Sequence, residues 1–572
     1  MIAAIISAIL RFRMASDAIG WGVVYTRSFA FGTLLLLLLA PSQRLLADES
    51  VDLAAVSKIR QHAAKNAEVK QTLRVLSDVY GPRLTGTPRY LEMAQWVEDK
   101  LRAWGIENVY LESFGQGLRG WEVINFRTAM TRPVFMVLDA QPVCCSDSTS
   151  GTVTGTPLVV DFTSMQALRS ISGQLRGRIL LHPDVQEVAD SPGTKWTPAQ
   201  LAKAAARMEP VTPEGLDGPG SSETYADRLR DQARNPLAQN EAKALAQLMI
   251  DEGVSAVLRS SSAPPGLVNN RFDTSMVEFV RSGDPRPVPM FVIPREQHAR
   301  MLTLIEMQQE PLISLELNTR YYEDPATHVN VIAEIPGSDP EHRNEVVYLG
   351  AHLDSVEMAT GAADNGIGAA TSMEVMRILS ELDLRPRRTI RLALWGGEEY
   401  GLLGARAHAE ARYGDIIAGT VTPEQESVSA YFNHDNNGHD IRGIFLLGNE
   451  ATRPVFEAYL APYADEGANT VTIENACCTD LVVFDALGIP SFEWIHDAMD
   501  YFSHQLHTST DAVDLIDFES VRRNTAIITS TVYLTAMRNQ ALPRKSMPAK
   551  PFGTLSVTSR DSSTRSEQVS HD

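Results

Sequence analysis

Residues 345–370 read EVVYLGAHLDSVEMATGAADNGIGAA, and this stretch contains a predicted strand, a loop and the start of a predicted helix. The apolar run Glu345–Gly350 is typical of a buried strand, and it leads directly into His352 and Asp354. Asp364 lies just before a helix predicted over Ile367–Leu382. In an open α/β sheet, ligands bind beyond the carboxyl ends of the strands, so the stretch predicts such a sheet with a site at that edge.

The same pattern recurs along the chain between about residues 327 and 538. The predicted strand Thr389–Trp395 leads into Glu398 and Glu399, and the predicted strand Ser429–Phe432 is soon followed by Asp435. Further elements are predicted at Asn330–Ile335, Gly443–Leu447, Ser491–Trp494 and Phe518–Met537. Strands that alternate with helices predict an α/β fold with a mostly parallel central sheet flanked by helices.

The chain divides by pattern into five segments. Helical spacing dominates before residue 104, whereas short β-rich runs such as Leu158–Phe162 follow, with one clear helix at Asn240–Glu252. Ser191–Asp227, rich in Pro, Gly and polar residues, is predicted to be a long surface loop or partly disordered. The predicted segments are a leader at 1–47, an N-terminal part of the α/β domain at 48–132, an inserted β-rich domain at 133–317, the α/β domain with the site at 318–541, and a disordered tail at 542–572.

Composition excludes several classes of protein. The 572 residues include 51 Lys and Arg against 71 Asp and Glu, a formal charge of −20. Such a charge repels polyphosphate, so nucleic acid is not expected as a partner. A hydrophobic content of 44% excludes a chain that is disordered throughout. The length exceeds the roughly 250 to 300 residues at which single cores stop growing, so two or more folding units are expected.

An apolar run near the N-terminus, Phe29–Ala40, contains six consecutive leucines. The run is too short to span a bilayer, which takes about 20 residues, but it suits the core of a signal peptide. We therefore expect export to the periplasm or the extracellular space, with cleavage near Ala47 and no stable membrane partner afterwards. An uncleaved membrane anchor, helped by the apolar stretch Ile2–Leu10, is the alternative.

Histidines and carboxylates are the candidate metal ligands. The four cysteines form two adjacent pairs, Cys144-Cys145 and Cys477-Cys478, which lack the spacing of a zinc knuckle and are expected to be structural. Taken singly, His352 or His507 could be a structural histidine, and Asp364 could cap a helix. Together, two histidines and three or four carboxylates at one sheet edge suit zinc, with manganese or cobalt as alternatives.

The adjacent glutamates are expected to have separate roles. Neighbouring side chains of an extended segment point to different sides, so Glu399 can bind metal while Glu398 faces a metal-bound water as general base. A carboxylate shared between two cations, such as Asp364, would hold them roughly 3.5 to 4 Å apart. The chemistry predicted for this arrangement is metal-assisted amide hydrolysis.

Five stretches carry a resemblance to a known family. They are GAHLDSVEMATGAADNGIGAA (350–370), TIRLALWGGEEYGLLGARAH (389–408), YFNHDNNG (431–438), TDLVVFDALGIPSF (479–492) and HTSTD (507–511). With GPRLTGTPRYLEMAQW near the N-terminus, they make the chain resemble the co-catalytic zinc exopeptidases of the bacterial leucyl aminopeptidase and plasma glutamate carboxypeptidase type. The resemblance covers about half of the chain and implies the zinc exopeptidase fold, with residues 133–317 similar to a protease-associated domain.

The resemblance also implies roles for individual residues. His352, Asp364 and Asp435 would hold one Zn²⁺ ion, and Asp364, Glu399 and His507 would hold the other. Asp354 would orient the site through His352, a support that metal-binding histidines often need. Glu398 would take a proton from the attacking water and return it to the leaving amine.

The chain departs from the family at two positions. Relatives commonly have Ser/Thr-Asp-His where this chain has Thr479, Asp480 and Leu481, and the residue before His507 is Leu506 rather than Tyr or His. A side-chain donor to the oxyanion is therefore missing at both positions. Either the second zinc carries more of this role, or a neighbour such as His504 or Tyr501 replaces the donor.

The function expected from the sequence is that of an exported two-zinc exopeptidase, an aminopeptidase or a dipeptidase, acting on peptides. A carboxypeptidase of the plasma glutamate carboxypeptidase type is the first alternative. A glutaminyl cyclase, which uses one zinc, and an inactive binding protein fit less well because all five candidate ligands are present. A homodimer is left open as the assembly.

Overall fold

The computed structural model describes residues 49–65, 67–115, 117–188, 193–210, 237–270, 279–476 and 478–545. The predicted leader lies outside these residues, as does the predicted tail beyond residue 545. No helix within the described ranges is long and apolar enough to cross a bilayer.

Apolar strands build an eight-stranded central sheet, as their sequences predict. In spatial order its strands are β1 (Glu107–Ser113), β11 (Val329–Ile335), β13 (Thr389–Trp395), β12 (Val346–His352), β16 (Val428–Asn433), β19 (Ser491–His496), β17 (Ile441–Phe445) and β18 (Thr470–Thr472). The four strands at the centre, β13, β12, β16 and β19, pair in parallel, whereas β1, β11 and β17 pair with the sheet in the antiparallel sense. The parallel centre brings four strand ends to one edge.

Helices cover both faces of this sheet. One face is buried by helices whose bounds are Leu53–Lys65, Val69–Arg74, Pro88–Ala103, Ile367–Glu381, Arg453–Leu460 and Phe518–Met537. The other face packs against the helices Leu403–Tyr413 and Leu481–Ala486, where Trp395 and Phe484 lie in a second apolar cluster. Both faces of a parallel sheet are normally buried, and this explains why its strands read as continuous apolar runs. The mixed α/β fold with a mostly parallel sheet is as predicted.

The β-rich part of the chain forms two further sheets. One contains β3 (Met136–Val137), β2 (Gly120–Arg132), β10 (Leu312–Tyr322) and β5 (Val153–Gly155). The other contains β4 (Gln141–Pro142), β9 (Met290–Ile293), β8 (Ala256–Ser260), β7 (Ile179–Leu181) and β6 (Leu158–Val159), flanked by the helices Met165–Ser170, Leu237–Glu252 and Arg295–Glu306. A small hairpin joins β14 (Gly414–Asp415) and β15 (Thr420–Val421) elsewhere in the chain. The long strands β2 and β10 pair in the antiparallel sense, with Gly120 opposite Tyr322. No short apolar run in the sequence predicts β2.

The segment predicted as a loop over Ser191–Asp227 contains regular structure in its described part. Pro198–Ala205 form a helix whose first turn is stabilised by a capping box between Thr197 and Gln200. This helix lies against β18, and Thr472 donates a hydrogen bond to the carbonyl of Ala204 at 2.7 Å. The prediction of a loop was therefore wrong for this stretch, because the Pro-rich composition hid a Thr-Pro-x-Gln helix start.

Candidate metal centre

The candidate ligands lie where the central parallel strands end. His352 is the last residue of β12, Asp435 follows β16 by two residues, and Glu399 follows β13 by four. Because β13, β12 and β16 are neighbours in parallel register, their carboxyl ends meet at one edge of the sheet. The sheet topology therefore brings together residues that are far apart in sequence.

Three of the candidates meet at the imidazole of His352. Its Nε2 atom lies 3.2 Å from Asp364 Oδ1 and 3.3 Å from Asp435 Oδ1. Its Nδ1 atom lies 3.1 Å from the backbone carbonyl of Asp354, which fixes the orientation of the ring. The Nε2 atom of His352 is thus aimed at two carboxylate oxygens.

A second trio meets at the imidazole of His507. Its Nε2 atom lies 3.1 Å from Asp364 Oδ2 and 2.9 Å from Glu399 Oε2. Asp364 is therefore common to both trios, with Oδ1 directed at His352 and Oδ2 directed at His507. The ligand atoms of His352, Asp364 and Glu399 all lie within 4.8 Å of one another.

The backbone around Asp364 is irregular and is held by a neighbouring carboxylate. Asp364 has φ −120° and ψ 95°, outside the helical region, although the helix begins three residues later. Asp511 accepts hydrogen bonds from the backbone N–H groups of Ala363 at 2.6 Å and Asp364 at 3.0 Å. Asp364 is therefore not a simple helix cap, and Asp511 supports its position without belonging to either trio.

Asp354 connects two of the loops at the site. Its Oδ1 atom accepts a hydrogen bond from the backbone N–H of Glu398 at 3.2 Å and lies 3.7 Å from His352 Nδ1. The loop that contains Asp354 is in turn held by Arg83, whose buried guanidinium donates to the carbonyls of Leu353 and Thr360, each at 2.8 Å. Sequence reasoning assigned no role to Arg83, although it lies in the GPRLTGTPR motif.

Glu398 occupies a tight turn after β13. Gly397 has a φ of +69°, which favours glycine, and its N–H donates to Thr85 Oγ1 at 2.8 Å. Burial raises the pKa of Glu398 well above its usual value, and the charges of Glu399 and Asp435 raise it further. The turn thus holds Glu398 and Glu399 side by side with separate neighbours.

The protein part of the site attracts positive charge. Burial alone would lower the pKa of His352 and of His507, but the surrounding carboxylates outweigh it and raise both values well above the usual one. Asp364 Oδ2, Glu399 Oε1 and Asp435 Oδ1 are buried and receive no hydrogen bond of good geometry from the described residues. Buried carboxylate oxygens without donors, next to two imidazoles, form a donor set that fits zinc.

The other nearby histidines lie outside the two trios. His434 is fully buried and stacks on His496, with ring centroids 5.4 Å apart, and burial lowers the pKa of both rings. His504 Nδ1 lies 2.8 Å from Ser503 Oγ. His439 accepts the His496 Nδ1 hydrogen bond through its carbonyl. Among the described residues, none of these four histidines forms an ion pair with a candidate ligand.

The positions where the sequence departs from the family point away from the site. Leu481 is fully buried in the apolar cluster on the far face of the sheet, and Leu506 packs against the main core. Asp480 is fully buried, and neither of its carboxylate oxygens receives a hydrogen bond from the described residues. Burial raises the pKa of Asp480 well above its usual value. The sequence assigned no role to Asp480, because only its burial among the charges of the site distinguishes it.

Comparison with known sequences places the chain among peptidases. Residues 330–532 match Peptidase family M28. Carboxypeptidase Q of Mus musculus is 24% identical over 475 residues, which cover 83% of this chain and 87% of that protein. Leupeptin-inactivating enzyme 1 of Streptomyces exfoliatus is 28% identical over 226 residues, which cover 36% of this chain and 48% of that protein.

Comparison with solved structures supports the fold. A Peptidase M28 precursor from Shewanella amazonensis SB2B superimposes with a TM-score of 0.60 at 22% identity, covering 86% of this chain and 98% of that one. A zinc aminopeptidase from Bacillus subtilis gives a TM-score of 0.50 at 17% identity, covering 84% of this chain and 98% of that one. At such identities the likeness concerns the fold alone.

Proposed function

We propose that the protein removes single residues from free peptide N-termini or splits dipeptides. Residues 330–532 match Peptidase family M28, and the chain is a zinc-dependent metallo-exopeptidase. The resemblance to zinc exopeptidases predicted from the sequence is confirmed. The observation that carries the proposal is the position of Asp364, whose two oxygens face two separate trios of ligand-type residues.

We propose that these trios hold two zinc ions. His352, Asp364 and Asp435 would bind one ion, and Asp364, Glu399 and His507 would bind the other. When bound, zinc supplies Lewis acidity for the scissile carbonyl and makes water more acidic. A carboxylate shared by two cations reduces their repulsion. The hydrogen bonds that Asp511 accepts from the backbone around Asp364 hold this carboxylate in position.

Glu398 would act as the general base. Burial and the charge of Glu399 raise the pKa of Glu398, which favours uptake of a proton by its carboxylate. It would take the proton of the attacking water and return it to the leaving amine. Asp354 would position the general base Glu398 and the metal ligand His352, since it accepts from the Glu398 N–H and adjoins His352 Nδ1.

Tyr501 is proposed as the oxyanion donor, with His504 as the alternative. Tyr501 is buried, and burial together with the charges of Asp364 and Asp435 raises the pKa of its hydroxyl well above the usual value, so the hydroxyl stays protonated and can donate. His504 has its Nδ1 atom engaged by Ser503. Tyr501→Phe is expected to lower kcat more than it raises KM.

The aminopeptidase or dipeptidase activity is favoured by the charges at the site. Several carboxylates surround it, and a free α-ammonium group of the substrate fits such surroundings. The guanidinium of Arg83, which lies next to Asp354, has its donors directed at backbone carbonyls and not at a substrate carboxylate. A carboxypeptidase remains the second candidate because Carboxypeptidase Q relatives align with most of this chain.

Export and an inserted domain complete the proposal. The apolar run Phe29–Ala40 supports a signal peptide and hence a periplasmic or extracellular enzyme. The two β-rich sheets between Gly120 and Tyr322 support an inserted protease-associated-like domain. Retention of the leader on membranes after expression would contradict cleavage.

Glu398→Gln tests the base assignment. We expect kcat to fall by about 10²–10⁴-fold while zinc content, measured by atomic emission, stays at that of the wild type. Glu341→Gln, at an exposed position, is the matched control and should retain full activity. Normal turnover of Glu398→Gln with zinc still bound would contradict the role of Glu398.

A substrate panel tests the specificity. Free dipeptides and peptides with an amidated C-terminus should be cleaved, and N-acetylated peptides should not. The reverse pattern, with cleavage that requires a free C-terminus, would replace the aminopeptidase proposal by the carboxypeptidase one. In the same preparation, zinc is removed with a chelator and then restored, and zinc content and activity are measured at each stage. Activity should return when two zinc ions per chain are bound.

A further inference from the structure

Cys144 and Cys145 form a buried pair at the tip of a tight turn. Their side chains are 3% and 2% exposed, and their Sγ atoms lie 2.6 Å apart. Cys145 has a φ of +64°, a conformation that side chains rarely adopt outside turns. The turn therefore presents the two sulfur atoms to each other.

Hydrogen bonds fix this turn from several sides. Ser146 closes it by donating from Oγ to the carbonyl of Val143 at 2.8 Å. Trp121 Nε1 donates to the carbonyl of Ser146 at 2.8 Å, and Tyr321 Oη donates to the carbonyl of Cys145 at 2.8 Å. A clamped backbone on both sides of the pair keeps the two thiols in one mutual orientation.

The same turn touches the two loops that flank the metal site. The N–H of Cys144 donates to Glu357 Oε1 at 3.0 Å, and Cys144 Sγ lies 3.6 Å from Tyr400 Oη. Tyr400 directly follows Glu399. Glu357 Oε1 also accepts from Asn270, whose N–H donates to the carbonyl of His507 at 3.0 Å. The cysteine turn is thus connected to the segments that carry Glu399 and His507.

We propose that Cys144 and Cys145 form a reversible vicinal disulfide. Its formation alters the contacts of the cysteine turn with the segments that carry Glu399 and His507, and the effect on activity rests on the proposed function. The oxidant is a small-molecule disulfide. One cysteine thiolate attacks it, forms a mixed disulfide and expels one thiolate. The second cysteine thiolate then attacks the mixed disulfide, closes the ring and expels the other. Two protons and two electrons leave the pair, and the oxidant is reduced to two thiols.

The ring would be easier to reduce than an ordinary structural disulfide. Adjacent Cα atoms across a trans peptide are about 3.8 Å apart, whereas disulfides usually join Cα atoms at about 4.4 to 6.8 Å and become more reducible when strained. Closing the ring also removes the Cys144 S–H, which can act as a weak donor to Tyr400 Oη. Because the pair is buried, exchange is expected over hours and not seconds.

Mass spectrometry of the whole purified chain tests ring formation without any substitution. After incubation with glutathione disulfide, the chain should lose two hydrogen atoms, and a single peptide containing Cys144 and Cys145 should resist alkylation until it is reduced. Alkylation of both residues after this treatment, or a bond from either to Cys477 or Cys478, would overturn the proposal.

Peptidase activity in buffers of different thiol to disulfide ratio tests the connection to the site. We expect kcat/KM of the wild type to change by roughly fivefold between the two forms, the effect of about one hydrogen bond. Cys145→Ser cannot close the ring and should show no dependence on the ratio. An unchanged kcat/KM with the ring closed, or a dependence that persists in Cys145→Ser, would overturn the connection.

Discussion

Arg83→Met removes the guanidinium that holds the loop containing Asp354. Arg83 is 1% exposed, and its Nε and Nη1 atoms donate to the carbonyls of Leu353 and Thr360, both at 2.8 Å. A third contact, from Nη2 to the carbonyl of Asp354, is 3.4 Å long and contributes less. Methionine has a similar length and an apolar character, so it fills the space without donating to any of these carbonyls.

The expected loss in the free energy of unfolding follows from the two short bonds. Each buried carbonyl left without a donor costs about 1 to 3 kcal/mol, so two of them cost about 4 kcal/mol. Burial lowers the pKa of Arg83, which reflects the cost of burying its charge. Methionine removes this cost, so the net loss in the free energy of unfolding should be smaller than the loss from the two carbonyls alone. Arg83→Lys should lose about half as much, because one ammonium cannot reach carbonyls on separate sides.

Urea unfolding followed by circular dichroism measures this loss, with kcat recorded on the same samples. Arg89→Met, at an exposed position on the next helix, is the matched control and should change the free energy of unfolding by less than about 1 kcal/mol. The Arg83 variant should also lose activity, because the loop that contains Asp354 is no longer held. A loss below about 1 kcal/mol with normal kcat would refute the reasoning.

Two further predictions concern pH and packing. Burial alone would raise the pKa of Glu112, but its bonds to His408 and Arg412 outweigh this and lower the pKa to about 2. Its stabilising effect is therefore present above the unfolded value of about 4.5 and is lost as pH falls from there toward 2. At pH 7, Glu112→Gln should be less stable than wild type by about 1 to 2 kcal/mol once solvent screening is considered. The difference between the urea midpoints of the two proteins should vanish near pH 2. A difference that stays constant with pH would contradict this account. In Gly368→Ala, the added Cβ would lie 2.3 Å from the carbonyl oxygen of His434, next to Asp435, so zinc affinity measured by chelator competition should fall at least tenfold. Gly155→Ala, where a Cβ meets open space, is its control, and equal affinities of the two variants would show that the contact does not position Asp435.

Much of the fold is encoded in local patterns that the sequence shows directly. The strands Thr389–Trp395 and Val346–His352 are mostly apolar because both faces of the sheet are buried, and such runs are easy to recognise. The helix Phe518–Met537 has the predicted bounds. By contrast, Gly120–Arg132 reads as polar because much of its surface is only partly buried, and its pairing with Leu312–Tyr322 depends on residues about 190 positions away.

The chemistry of the site was also readable in part from the sequence. Ligand-type residues directly after predicted strands identify His352, Glu399 and Asp435 as candidates, since the ends of parallel strands meet at one edge. The supporting residue Arg83 and the buried Asp480 could not be identified in this way. A buried arginine or aspartate becomes recognisable only when its contacts and its burial are known.

The α/β class, the ligand-type residues and the resemblance to zinc exopeptidases can all be predicted from the sequence alone, because periodicity and short motifs are local properties of the chain. Only the tertiary structure shows which of these residues contact one another. It placed Oδ1 of Asp364 at His352 and Oδ2 at His507, and it placed the Cys144 turn against Glu357 and Tyr400. These contacts join segments separated by up to about 250 residues, and only packing of the sheets fixes such distances.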